Sequence, residues 1–101
     1  MKTIQVFPQA GEFAENKDTA RDLRVNEILP ALAKGEEVIL DFRGVRLSTQ
    51  SFIHALVSEA IRVHGIDVLD RLMFKNCTPT IKTLINIVVD YMQTDDTKEG
   101  A

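Results

Sequence analysis

The chain has 101 residues, enough for one domain with a single core of two or three packed layers and too few for two such domains. Apolar residues make up 45% of it, an ordinary share for a globular protein, and no run approaches the ~20 consecutive apolar residues of a membrane-spanning helix. The formal net charge is −3 and the basic residues are scattered, which argues against a phosphate-tracking nucleic-acid surface; Arg43 and Arg46 are a small local exception.

The first residues, Met1 to Pro8, alternate polar and apolar side chains and lack the continuous apolar centre of a secretory signal. Cys77 is the sole cysteine, so no internal disulfide forms, and this usage fits a reducing compartment. A cytoplasmic protein is the expectation. Asn76-Cys77-Thr78 then matches a glycosylation acceptor by chance.

Thr3 to Phe7 reads as a short strand with one buried face, ended by Pro8. Gly11 to Phe13 is a candidate hairpin partner for it. From Asp18 the period turns helical: Leu23, Val25, Ile28, Leu29 and Leu32 form an apolar stripe, Asp18 or Thr19 caps it, and Gly35 ends it. Pro30 falls inside and predicts a kink or break. Glu37 to Phe42 reads as a strand buried on both faces, the centre of a parallel sheet.

A second helix spans about Gln50 to His64, with Gly65 as its stop. Its polar positions Ser51, His54, Ser58 and Arg62 recur at three- and four-residue spacing, and so predict one exposed stripe. Ile66 to Asp70 is a connector with a turn of helix, and Leu72 to Lys75 is another strand. Thr78-Pro79 opens a third helix, a cap followed by proline where its missing donor costs nothing. Ile81, Leu84, Ile85, Val88, Val89 and Met92 form its buried face. Residues 94–101 are polar and read as a flexible tail, leaving 1–93 as a single domain. The expected fold is α/β: a mainly parallel sheet of about four strands packed with three or four helices.

Chemistry concentrates where strand 37–42 delivers the chain to the second helix. Asp41, Ser48, Thr49, Ser51, Asn76 and Thr78 belong at the carboxyl ends of the strands, where ligands meet such sheets. Any of Ser48, Thr49 and Ser51 could cap the helix. A phosphate on Ser51 is also physically tolerated there, since a helix start favours negative charge by ~0.3 to 2 kcal/mol. Asp41 has a plain role open to it, accepting backbone donors of the next turn.

Enzymatic readings find less support. A hydrolase elbow places glycines two residues either side of the serine, where Thr49 and Ile53 stand here. His54 lies one turn from Ser51 and Asp41 could orient it in principle, but a nucleophile needs base and orienter fixed together and the sequence shows neither. His54 and His64 are too far apart along one helix to share a metal ion, and no glycine-rich phosphate loop occurs. No catalytic residue, metal or cofactor is expected.

The run Val38-Ile39-Leu40-Asp41-Phe42-Arg43-Gly44-Val45, a short polar turn, then Ser51-Phe52 opening an apolar helix, resembles the STAS domain of sulfate transporters and anti-sigma-factor antagonists. It is most similar to a short STAS-like group of bacterial proteins with the same Asp-Phe strand end and Ser-Phe helix start. The resemblance is sharpest from Val38 to Leu56. It implies a small STAS-like fold and a signalling module that binds a protein partner, a histidine-kinase-like ATPase acting as a serine kinase or an anti-sigma-like protein. By position, Ser51 matches the serine phosphorylated in the antagonists, with Thr49, Gln50 and Phe52 in place of their aspartate, serine and glycine. The docking surface expected on this basis combines Arg43, Arg46, Ser48, Thr49 and Gln50 with His54, Ser58 and Arg62. An alternative is a scaffold subunit of a larger bacterial regulatory or defence assembly in which Ser51 only caps the helix. Homodimerisation through a sheet edge is a third reading. Neither nucleic acid nor membrane is an expected partner.

Overall fold

A computed structural model describes the backbone of residues 1–100 and the side chains of residues 1–93. The tail expected over 94–101 lies outside those side chains. Among the described residues, five short strands and five helices follow in the order β1 (Lys2–Gln5), α1 (Phe7–Ala10), β2 (Phe13–Ala14), α2 (Lys17–Leu23), α3 (Leu29–Ala33), β3 (Val38–Asp41), β4 (Leu47–Ser48), α4 (Gln50–His64), β5 (Leu72–Lys75) and α5 (Pro79–Gly100). A π-helical turn, Arg24–Ile28, joins α2 to α3, and a 3-10 turn, Ile66–Asp70, joins α4 to β5.

All strand pairing is parallel, as expected, but it is divided between two sheets. The larger has the order β1-β3-β5, with Ile4, Leu40 and Phe74 in register across it. The smaller pairs β2 with β4, Phe13 opposite Leu47 and Ala14 opposite Ser48. The expected hairpin return near Gly11 to Phe13 is therefore wrong. That segment finds its partner in a strand more than thirty residues later, because Arg46 and Leu47 donate their backbone N–H groups to the carbonyl of Glu12.

β3 is the central strand, but it is not buried on both faces. Val38 and Leu40 are fully buried and join Ile4 and Leu72 against the helices, whereas Ile39 and Asp41 on the opposite face are only half-buried. Their neighbours there, Thr3, Gln5 and Lys75, are exposed. Because the strands follow one another across the sheet in chain order, the connecting helices gather on one side. Phe42, beyond the strand, turns back into the core with Phe52, Leu56, Ile81 and Val88.

The helix expected from Asp18 forms with an earlier start. Asn16, not Asp18 or Thr19, is the cap; its side-chain oxygen accepts from the N–H groups of Asp18 and Thr19 at 2.8 and 3.3 Å. The interruption predicted at Pro30 appears as the wide turn just before it, in which the N–H of Leu29 donates to the carbonyl of Arg24, five residues back. Widening the turn keeps Leu23 and Ile28 buried and leaves Val25, expected in the stripe, 47% exposed. At the other end, the half-buried Arg71 donates to the carbonyls of Leu32 and Glu36 and fastens the end of α3 to the start of β5.

Helix α4 runs from Gln50 to His64 and stops at Gly65, as its sequence dictates. It packs between α2 and α5, and the Arg24 guanidinium of the wide turn donates to its Ala55 carbonyl at 2.9 Å. α5 begins as expected: the Thr78 hydroxyl accepts the N–H of Ile81 at 3.2 Å, and Ile81, Ile85, Val88 and Met92 are buried. Among the described residues, no helix is long and apolar enough to cross a membrane.

Candidate functional site

The chain leaving β3 is held in place by its own polar groups. The Asp41 carboxylate accepts from the Arg43 N–H and from the Asn76 carboxamide, both at 2.9 Å, so one oxygen ties the end of β3 to the end of β5. These two donors, the Asn76 amide foremost, lower the Asp41 pKa below its usual carboxylate value. Asn76 holds this bond from a left-handed backbone, φ 58°, which asparagine tolerates better than most residues. Gly44 has φ 93° and lies under the Phe7 ring, where a Cβ would come within 2.9 Å of ring carbons. Only glycine meets both conditions without strain.

After Val45 the chain pairs with β2. The Ser48 hydroxyl donates to the carbonyls of Ala14 at 2.9 Å and Thr49 at 3.1 Å, and the Thr49 N–H donates to Ala14 at 3.0 Å. These bonds aim the chain into α4. The Thr49 hydroxyl then accepts the Phe52 N–H at 3.1 Å, making Thr49 the cap. Ser51 is therefore not the cap: it is the second residue of α4, with its side chain at the surface and making no hydrogen bond among the described residues, and this bears on the cap alone, not on a scaffold role.

The other predicted surface residues separate into groups. Gln50, Ser51 and His54 line one open depression of about 430 Å³ together with Ala55 and with Lys17 of α2. Arg43 and Arg46 are exposed on the preceding loop, and Arg46 pairs with Glu12 at 3.5 Å. Both members of that pair are solvated, so it adds little stability. Ser48 and Thr49 are committed to holding the chain and offer little to a partner. Arg62 is exposed and pairs with Glu59 at 3.2 Å, one turn earlier on α4. Ser58 departs from expectation: it is 5% exposed and belongs to the packed surface of α4. The polar stripe is therefore not continuous, because neighbouring helices cover a position that the spacing within α4 places on its outer side.

Sequence reasoning missed four residues. Lys17 reaches the depression through the β2–β4 pairing and the packing of α2 on α4, which have no local signal. Tyr91 of α5 meets His54 edge-on, ring centroids 6.3 Å apart. Phe13 and Leu47, opposite one another across the small sheet, are 50% and 49% exposed. Their strands are two residues long, too short for alternation to reveal.

Asp41 and His54 do not form a relay to Ser51: the carboxylate is engaged by Arg43 and Asn76, and the imidazole rests against Tyr91. Cys77 is half-buried, and burial pushes its thiol pKa upward, which keeps it a poor nucleophile. Among the described residues, no group of three or more His, Cys, Asp or Glu could hold a metal ion.

A family model described as a STAS-like domain of unknown function (DUF4325) matches residues 20–82, more than half of the chain, and the chain belongs to that family. The match begins at α2 and contains the whole strand-turn-helix from β3 to α4. No curated protein and no solved structure matches the chain significantly.

Proposed function

We propose that this STAS-like domain is a non-enzymatic interaction module of bacterial cytoplasmic signalling, similar in role to an anti-sigma-factor antagonist and switched by phosphorylation of Ser51. The partner in this reading is a histidine-kinase-like ATPase acting as a serine kinase, or an anti-sigma-like protein. One observation carries it: Thr49 performs the capping, so the exposed Ser51 hydroxyl has no structural duty to explain its place at the start of α4. Modification there leaves the fold intact, and the added charge meets the favourable end of the helix. In the transfer, the Ser51 oxygen bonds to the γ-phosphorus of ATP as the bond to ADP breaks, and the hydroxyl proton passes to a base of the kinase.

The docking surface in this reading is Ser51 with Gln50, His54 and Arg62 on α4 and Arg43 and Arg46 on the loop. Ser58, being buried, is no longer part of it. The test is incubation of the purified full chain with ATP and the ATPase encoded beside its gene, followed by mass spectrometry. Phosphate on Ser51, absent from Ser51→Ala, is the expected result. A chain left unmodified at Ser51 overturns the switch.

A further inference from the structure

Ser51 does not stand alone on the surface. It shares its depression with Gln50, His54 and Ala55 of its own helix and with Lys17 of α2. Two relationships bring these groups together. Ser51 and His54 are three residues apart on α4, so their side chains are neighbours on one face. Lys17 arrives from the other side because β2 and β4 run in parallel and each leads directly into a helix, through the caps Asn16 and Thr49. The Lys17 side chain is exposed, and its ammonium makes no hydrogen bond or ion pair among the described residues.

We infer that a phosphoryl group on Ser51 is held within the domain, between the Lys17 ammonium and the His54 imidazole. Phosphorylation then ties Lys17 of α2 to α4 and at the same time withdraws His54 from the docking surface. A phosphoserine carries about −1.5 to −2 charges and three acceptor oxygens, and a lysine ammonium offers three donors on a long flexible stem. The groups facing the phosphate are Lys17 from α2 and Gln50 and His54 from α4, with Tyr91 of α5 against His54. Among the described residues, no carboxylate lines the depression to oppose it. The inference rests on the reading of Ser51 as a modification site, but it concerns where the phosphate goes, not which kinase supplies it.

The test uses the full chain with phosphoserine inserted at position 51 during translation, followed by phosphorus-31 NMR across pH. The second phosphate ionisation is expected about half to one pH unit lower in the folded chain than in the same chain in denaturant. Lys17→Gln should remove most of that difference and Lys17→Arg should keep it. A helix-start effect alone lowers the midpoint equally in wild type and Lys17→Gln. Equal midpoints in folded and denatured chains, or a lowering untouched by Lys17→Gln, overturn the inference. Because the phosphate is installed without a kinase, a failed kinase reaction bears on the proposed switch alone, whereas an unshifted midpoint bears on the latch alone.

Discussion

Thr49 and Ser51, two residues apart at the start of α4, have opposite roles: the Thr49 hydroxyl accepts the Phe52 N–H at 3.1 Å, while the Ser51 hydroxyl faces solvent without a bond. Thr49→Ala should therefore lower stability by about 1 kcal/mol, and Ser51→Ala by less than about 0.5 kcal/mol. Thr49→Ser should restore the first loss. Urea unfolding midpoints at constant slope measure all three, and equal losses for the two alanine variants would contradict the assignment of the cap.

The Asp41–Asn76 bond gives the fold an acid-sensitive contribution. The folded-state pKa of Asp41 is lowered, so the stability it supplies is complete above its ordinary value of 3.8 and disappears as pH falls through the folded value. Asn76→Gly keeps the left-handed backbone accessible and removes the carboxamide. It should destabilise the chain at neutral pH, bring the Asp41 titration midpoint closer to the ordinary value, and cost nothing by this route at a pH well below the folded value, where the carboxyl is protonated in both states. Carboxyl-detected NMR titration and unfolding at the two pH values check it.

Gly44 combines a positive φ with the ring of Phe7 overhead. Gly44→Ala should cost about 1–3 kcal/mol from backbone strain together with the contact. In a Phe7→Ala background the contact is gone and the strain remains, so the penalty should shrink without vanishing. A double-mutant cycle on denaturation midpoints separates the two parts.

Ser58→Glu places a carboxylate at a position 5% exposed and should destabilise the domain by more than about 2 kcal/mol. Arg62→Glu, at an exposed site, should alter stability mainly through its partner Glu59, by less than about 1 kcal/mol. Thermal melts distinguish them. Loss of partner binding in Ser58→Glu would report unfolding, so the proposed docking surface is better probed by Arg43→Glu together with Arg46→Glu, which should weaken the proposed complex while leaving the melt nearly unchanged.

Much of this was legible in the chain because its signals are local. Gly65 ends α4 where predicted, Thr78-Pro79 opens α5, and Leu72 to Lys75 forms its strand. The strand end at Asp41 also behaves as its type implies, accepting the Arg43 N–H. The choice among Ser48, Thr49 and Ser51 was not legible, since each can cap. What decides it is the Ala14 carbonyl, which draws in the Ser48 hydroxyl and sets where the helix starts. The burial of Ser58 and the arrival of Lys17 likewise depend on how separate helices meet, which no spacing within one helix records.

The wide turn at Arg24–Ile28 bears on how the chain length here can vary. Buried Leu23 and Ile28 are five positions apart, a spacing that in an ordinary helix, at about 100° per residue, would point them in different directions. The π geometry absorbs the surplus position. Deleting the exposed Asn26 brings the two to a four-residue spacing with the same face inward, while Pro30, which has no N–H to donate and crowds the turn before it, still interrupts the helical ladder. A chain one residue shorter at this point can therefore keep the same core, so length here sets helical pitch and not the buried contacts.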